Sequence, residues 1–258
     1  MGRYRYTGKK KWDARRWAAL DNLRGLTLLS MIAYHACWDM VYIFGADWGW
    51  YRSVGAYLWQ QSICWTFILL SGFCFSLGSE PLRRGLEVFI SGLLVTAVTL
   101  LIMPGNRVVF GVLTLLGSCM LLMVPLERFL ARIPPWAGLA GSGVLFWLLR
   151  HVNQGLLGRV GRSAYLADLP AGLYRNLLTA YLGFPPADFF STDYFSLVPW
   201  CFLFLVGYYL NGLWRQRRPI PAGGTRIPVL SDLGRYSLPV YLVHQPVVYG
   251  LLWGLFRL

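Results

Sequence analysis

Asp21, Arg24, His35 and Asp39 are the residues of this chain whose types and spacing could do chemistry together. On an α-helix each residue turns about 100° and rises about 1.5 Å. Arg24 and His35 are eleven residues apart, close to three turns, so they share a face. Asp21 precedes Arg24 by three and Asp39 follows His35 by four, so all four fall along one stripe. Arg24 and His35 are then separated by roughly 16 Å along the axis. A guanidinium at the mouth of the stripe suits a phosphate. A neutral imidazole deeper in suits a general base, with Asp39 one turn away to orient it as a triad acid does. The plainer readings are a snorkelling Arg24 paired with Asp21, and a core histidine bonded to Asp39 or a backbone carbonyl. A second histidine opens His244-Gln245-Pro246 in a late apolar run. Pro246 kinks a helix and frees backbone carbonyls. His244 and Gln245 then face a polar cavity, or meet another helix.

Composition sets the elements that must hold these residues. Of 258 residues, 56% are hydrophobic and only 14% charged, with a mean hydropathy of +0.48. A soluble domain usually carries about 25% charged residues. So few charges cannot coat a water-facing surface of this size, and so much apolar content excludes disorder. The expected class is an all-α integral membrane protein. The net charge of +13 has its basic residues between long apolar runs, which argues against a nucleic-acid partner. Cys37, Cys64, Cys74, Cys119 and Cys201 form no CxxC pair and are odd in number, so they read as small core hydrophobes, with no metal site.

Uncharged runs cover residues 53–79, 88–106, 108–126, 133–149, 194–214 and 236–256. A further run, 17–44, is apolar overall but carries the polar stripe, which is expensive in a bilayer unless functional or paired. This predicts a bundle of about seven transmembrane helices. Sixteen lysines and arginines then lie on the side of the N-terminus and seven on the other, which puts the N-terminus in the cytoplasm and the C-terminus outside. Trp12, Trp17, Trp48, Trp50, Trp136, Trp214 and Trp253 fall near span ends, as an aromatic belt would. Residues 1–16 read as a basic cytoplasmic segment on an anionic leaflet, not a cleavable signal, and 17–258 as a single transmembrane domain. Pro219, Pro221, Gly223 and Gly224 mark a flexible cytoplasmic loop. The long outer loop, 150–193, holds an apolar stripe (Leu173, Leu177, Leu178, Tyr181) that is too short to span and is either interfacial or re-entrant.

The run Leu20-Asp21-Asn22-Leu23-Arg24-Gly25-Leu26, with Met31-Ile32-Ala33-Tyr34-His35 and Trp38-Asp39, resembles the first span of the transmembrane acyltransferase superfamily. The signature there is an arginine, ten residues and a histidine, which Arg24 and His35 match. Phe110-Gly111-Val112-Leu113, Asp193-Tyr194-Phe195 with Pro199-Trp200, and Leu233-Gly234-Arg235-Tyr236-Ser237-Leu238 with Tyr241-Leu242-Val243-His244-Gln245-Pro246 resemble one part of it. That part is the small bacterial branch of the heparan-α-glucosaminide N-acetyltransferase catalytic-domain family. The resemblance implies acetyl transfer from cytoplasmic acetyl-CoA to a sugar hydroxyl or amine at the outer side of a bacterial cytoplasmic membrane. His35, Arg24 and Asp39 would be catalytic, with His35 the general base. Arg24, Asp21 and Arg235 would hold the acyl donor. His244, Gln245, Trp38, Asp193 and Tyr194 would hold the glycan acceptor. The implied partners are the lipid bilayer, the donor and the acceptor, with no metal, and the pattern leaves room for a homo-oligomer. Two departures stand out. Thr114 occupies the place of a histidine that follows Gly-Val-Leu in the family pattern. The lysosomal member has asparagine at the place of His35, and its proposed histidine falls near Ala46. Two other classes stay open: a transporter or flippase using the stripe as a proton relay, and a haem carrier with His35 and His244 as axial ligands.

Overall fold

The computed structural model describes residues 17–158, 165–217 and 225–256. The basic segment 1–16, Arg159 and Arg162 of the outer loop, and Pro219, Pro221, Gly223 and Gly224 lie outside the described residues. Each of the seven apolar runs folds as a helix. They are α1 (Ala18–Tyr42), α2 (Val54–Phe75), α3 (Pro81–Ile102), α4 (Val112–Leu130), α5 (Pro135–Leu149), α7 (Leu197–Arg217) and α9 (Ser237–Phe256). Two shorter helices, α6 (Leu177–Leu182) and α8 (Pro228–Arg235), are added. Proline opens α3, α5 and α8, where its missing N–H has no intrahelical partner to lose. α3 starts well before the uncharged run because Arg83 lies on its first turn and pairs with Glu87 at 2.9 Å. Charge therefore marked the apolar part of that helix and not its beginning.

Helices α2, α3, α4, α7 and α9 are long and apolar enough to cross a membrane. Length and composition thus qualify five helices rather than seven. The 25 residues of α1 suffice in length, but its polar stripe lowers its hydropathy. The 15 residues of α5 span about 22 Å, short of a hydrocarbon core of about 30 Å.

The chain divides into two compact units, residues 1–67 with 218–258, and 68–217. In the first, α1 packs against α8, α9 and the start of α2 around Leu28, Met31 and Ile63, with Leu233, Val240 and Tyr241 closing the cluster. Trp59 Nε1 donates to Ser30 Oγ at 2.8 Å. A second cluster, Val41, Tyr51 and Ala56, includes Trp38 and Cys37 at its edge.

In the second unit α3 packs on α4, and α5 and α4 pack on α7. A side chain on Gly117 would meet the backbone of Phe89 at 2.5 Å, so α3 and α4 touch backbone to backbone, as small residues allow between membrane helices. The loop after α5 forms a two-stranded antiparallel sheet, Leu156–Leu157 with Ala167–Asp168. Of the apolar stripe in the outer loop, Leu173 ends a separate 3-10 turn, Ala171–Leu173, whereas Leu177, Leu178 and Tyr181 lie on the short helix α6. Its Tyr181 hydroxyl bonds Ser118 Oγ of α4 at 2.6 Å, while Leu177 and Leu178 stay exposed. Among the described residues none of the five cysteines forms a disulfide.

Candidate active site

The polar stripe lies on one continuous helix, as its spacing required. At its N-terminal end Arg24 Nη1 donates to Asp21 Oδ1 at 3.4 Å, and Asp21 is buried. This end is gripped by α8. A Cβ on Gly25 would sit 2.0 Å from the carbonyl oxygen of Leu230, and one on Gly234 2.0 Å from that of Asp21. Two bare glycines therefore let the backbones of α1 and α8 touch, each against the other helix's carbonyl. Arg235 follows Gly234, so the contact brings it to the Asp21 end of the stripe; its guanidinium lies 5.9 Å from the Tyr236 ring. Asn22 completes the grip. Its Oδ1 accepts from Ile227 N at 3.3 Å and Ser231 Oγ at 2.5 Å, and its Nδ2 donates to Thr225 O at 2.8 Å.

At the other end α9 supplies the partners. Gln245 Nε2 donates to Asp39 Oδ1 at 2.6 Å, and Asp39 has no exposed surface. The rings of His35 and His244 are 5.0 Å apart between centroids, tilted by 57°. His244 Nδ1 lies 2.5 Å from the carbonyl oxygen of Tyr241. A carbonyl only accepts, so Nδ1 carries the hydrogen, and in the neutral ring Nε2 holds the lone pair. Asp39 was expected to orient His35. Its bonded oxygen instead serves Gln245, and no hydrogen bond joins Asp39 to His35 among the described residues. The reason is geometric: α9 presents an amide to the carboxylate, and the amide takes it across the helix interface.

Three buried atoms here have no hydrogen-bond partner among the described residues: Asp39 Oδ2, His244 Nε2 and Gln245 Oε1. Given the bonds their own side chains already make, all three are acceptors. A buried polar group left unmatched costs about 1–3 kcal/mol. A cluster of three is unusual in a packed interior and calls for donors.

The remaining expected residues sit elsewhere. Trp38 packs toward the Val41–Tyr51–Ala56 cluster and lies 5.3 Å from the Tyr42 ring, on the α2 side of α1. Asp193 and Tyr194 belong to the second unit. Asp193 Oδ2 accepts from Val112 N at 3.4 Å, at the start of α4. Burial pushes its carboxyl up to about 6, against the lowering effect of that N–H. The Tyr194 hydroxyl bonds the carbonyl of Ala180 at 2.5 Å and so anchors the end of α6. Among the described residues no group of three or more His, Cys, Asp or Glu side chains is placed to hold a metal ion. Residues passed over in the sequence are Asn22 and Tyr241. Asn22 carried a signal, an amide inside a costly stretch; Tyr241 acts through its backbone carbonyl, which no residue type announces.

No curated protein and no solved structure matches the chain. The family described as heparan-alpha-glucosaminide N-acetyltransferase, catalytic, matches residues 16–246, a span that runs from just before α1 through Gln245 and Pro246. With nine-tenths of its length matched, and with every residue of the α1–α9 cluster inside the match, the chain belongs to the heparan-alpha-glucosaminide N-acetyltransferase catalytic-domain family of membrane acetyltransferases.

Proposed function

We propose that this protein moves an acetyl group from cytoplasmic acetyl-CoA to a hydroxyl or amine of a glycan acceptor at the outer side of a bacterial cytoplasmic membrane. In this reading α1, and α5 despite its 15 residues, cross with the five apolar helices, giving seven spans with the N-terminus inside. The observation that carries this reading is the cluster of His35, Asp39 and Gln245 at one end of a helix whose other end holds Arg24. Asp39 Oδ2 and Gln245 Oε1 are buried acceptors in need of donors. An acceptor O–H or N–H supplies donors, whereas a thioester carbonyl does not.

Arg24, with Asp21 and Arg235 at the same end, holds a phosphate of the donor. The offset of roughly 16 Å to His35 accommodates much of an extended pantetheine arm. His35 removes the proton of the acceptor as its oxygen or nitrogen attacks the thioester carbonyl. The C–S bond breaks, and the thiolate takes the proton from His35. An acetyl-His35 intermediate is the other route, and only that route exchanges labelled CoA without acceptor.

The test is acetyl release and transfer by the purified protein in vesicles, with labelled acetyl-CoA and a panel of sugar hydroxyl and amine acceptors. His35→Ala should lower kcat by about 100-fold or more. Arg24→Ala should raise KM for acetyl-CoA by about tenfold with a smaller change in kcat, since it removes a charge-assisted hydrogen bond. Full transfer by His35→Ala would show that another group is the base.

A further inference from the structure

We propose that His244 is the positioning residue of His35: its Nε2 accepts the N–H of one His35 ring nitrogen, leaving the other nitrogen of His35 as the base. This rests on the acyl-transfer reading for its catalytic consequence, but the hydrogen-bond arrangement can be read without activity.

The argument begins with the fixed tautomer. Tyr241 O lies 2.5 Å from His244 Nδ1, so the backbone of α9 itself dictates which His244 nitrogen is protonated. The lone pair on Nε2 is buried and has no partner among the described residues. Among the described residues the rings of His35, at 5.0 Å, and Tyr241, at 5.4 Å between centroids, lie against His244. Of these, His35 brings a ring N–H. Two imidazoles sharing an N–H···N bond of about 3 Å have centroids roughly 5 Å apart, because each nitrogen lies only about 1 Å from its ring centre. The observed separation therefore already fits the bond. χ2 is a soft torsion for histidine, so a turn of the His35 ring is the movement that would form it. Such bonds often tighten only when substrate is bound.

Asp39, the nearest carboxylate along α1, is committed to Gln245. The chain of bonds is then Tyr241 C=O, Nδ1–H and Nε2 of His244, N–H of His35, and the free nitrogen of His35 facing the acceptor. During transfer His35 gains the acceptor's proton on that free nitrogen and loses the same proton to the departing thiolate. The N–H shared with His244 stays in place throughout. His244 neither gains nor loses a proton, and its contribution is to fix the tautomer of the base and to disperse its transient positive charge.

The test uses the full chain in nanodiscs. Glutamine places a carbonyl oxygen near the position of Nε2, so His244→Gln should keep kcat within about tenfold of the parent. His244→Leu, which fills the space without an acceptor, should lower kcat by about 100-fold. Because His244 acts through His35, adding His244→Leu to His35→Ala should cause no further loss. Equal losses from His244→Gln and His244→Leu, or a multiplied loss in the double variant, would overturn the proposal. The chain has three histidines, so ¹⁵N-histidine spectra are tractable. They should show His244 protonated at Nδ1, with its Nε2 signal moved by His35→Ala. Protonation at Nε2, or an Nε2 signal indifferent to His35, would refute the bond even if no acceptor substrate were found. A correct Nε2 signal in a protein that transfers no acetyl group would instead refute the acyl-transfer reading alone.

Discussion

Alanine at Gly25 or at Gly234 should damage catalysis more than folding, and the two substitutions together should do little more than the worse one alone. A Cβ at either position would lie 2.0 Å from a carbonyl oxygen of the other helix, whereas real Cβ atoms essentially never approach within 3.0 Å. Helices α1 and α8 must then part by about 1 Å at this contact. Overpacking of this kind costs about 1–3 kcal/mol, and the better helix propensity of alanine returns up to about 1 kcal/mol of it. The net loss of stability is therefore modest. The loss of geometry is larger, because α8 runs into α9 across Tyr236, and α9 carries His244 and Gln245. A misplacement of about 1 Å in a reacting constellation can cost about 100-fold in rate. We expect each single variant to lose between about tenfold and 100-fold in kcat while still melting cooperatively in detergent. One separation relieves both clashes, so the double variant should fall well short of the product of the single losses. Gly250→Ala on α9 is the control, since nothing lies within 4 Å of its added methyl, and it should be nearly neutral. Parental kcat in Gly25→Ala, or fully multiplicative losses in the double variant, would show that the α1–α8 contact does not set the site.

Asn22→Ala should cost about 1–3 kcal/mol, because Ile227 N and Ser231 Oγ lose their acceptor and Thr225 O its donor, and it should speed proteolytic cutting near residue 225. Parental resistance would mean that α8 is held by its glycine contacts alone. Asp193 should make the second unit more stable at mildly acid pH. Its carboxyl is raised to about 6 when folded, above an unfolded value of about 3.9, so the folded state binds the proton more tightly. That contribution, of order 2–3 kcal/mol, is complete below the unfolded pKa and is lost as pH rises through the folded one. Asp193→Asn should flatten this part of the melting profile, and an unchanged pH dependence would assign the effect elsewhere.

The polar stripe on α1 was legible because it depends on one helix and its period alone. The seven helices were legible for a related reason: apolar runs bounded by charge are local features. The beginning of α3 was not, since Arg83 stabilises its first turn through Glu87 instead of ending it. Helix α8 was missed because its eight residues follow a Pro- and Gly-rich stretch and bury only part of one face against α1. The Gln245 partner of Asp39 was not legible, because residue spacing within a helix says which side chains share a face, not which neighbour on another helix bonds them. His35 and Asp39 are one turn apart, yet the carboxylate bonds an amide 206 positions away.

That pairing across helices is what gives the site its precision. His244 and Gln245 are adjacent, so on α9 they point about 100° apart. Their partners His35 and Asp39 lie four apart on α1, about 40° apart and about 6 Å apart in height. A helix that slid along α1 or turned about its own axis would lose one contact before the other. The Gln245–Asp39 bond and the His244–His35 contact hold together at one rotation and one height of α9. The glycine contacts of α8, joined to α9 through Tyr236, restrain the same helix from its other end. In the proposed mechanism Asp39 acts without touching His35: it fixes α9, α9 presents His244, and His244 decides which nitrogen of His35 is free to act.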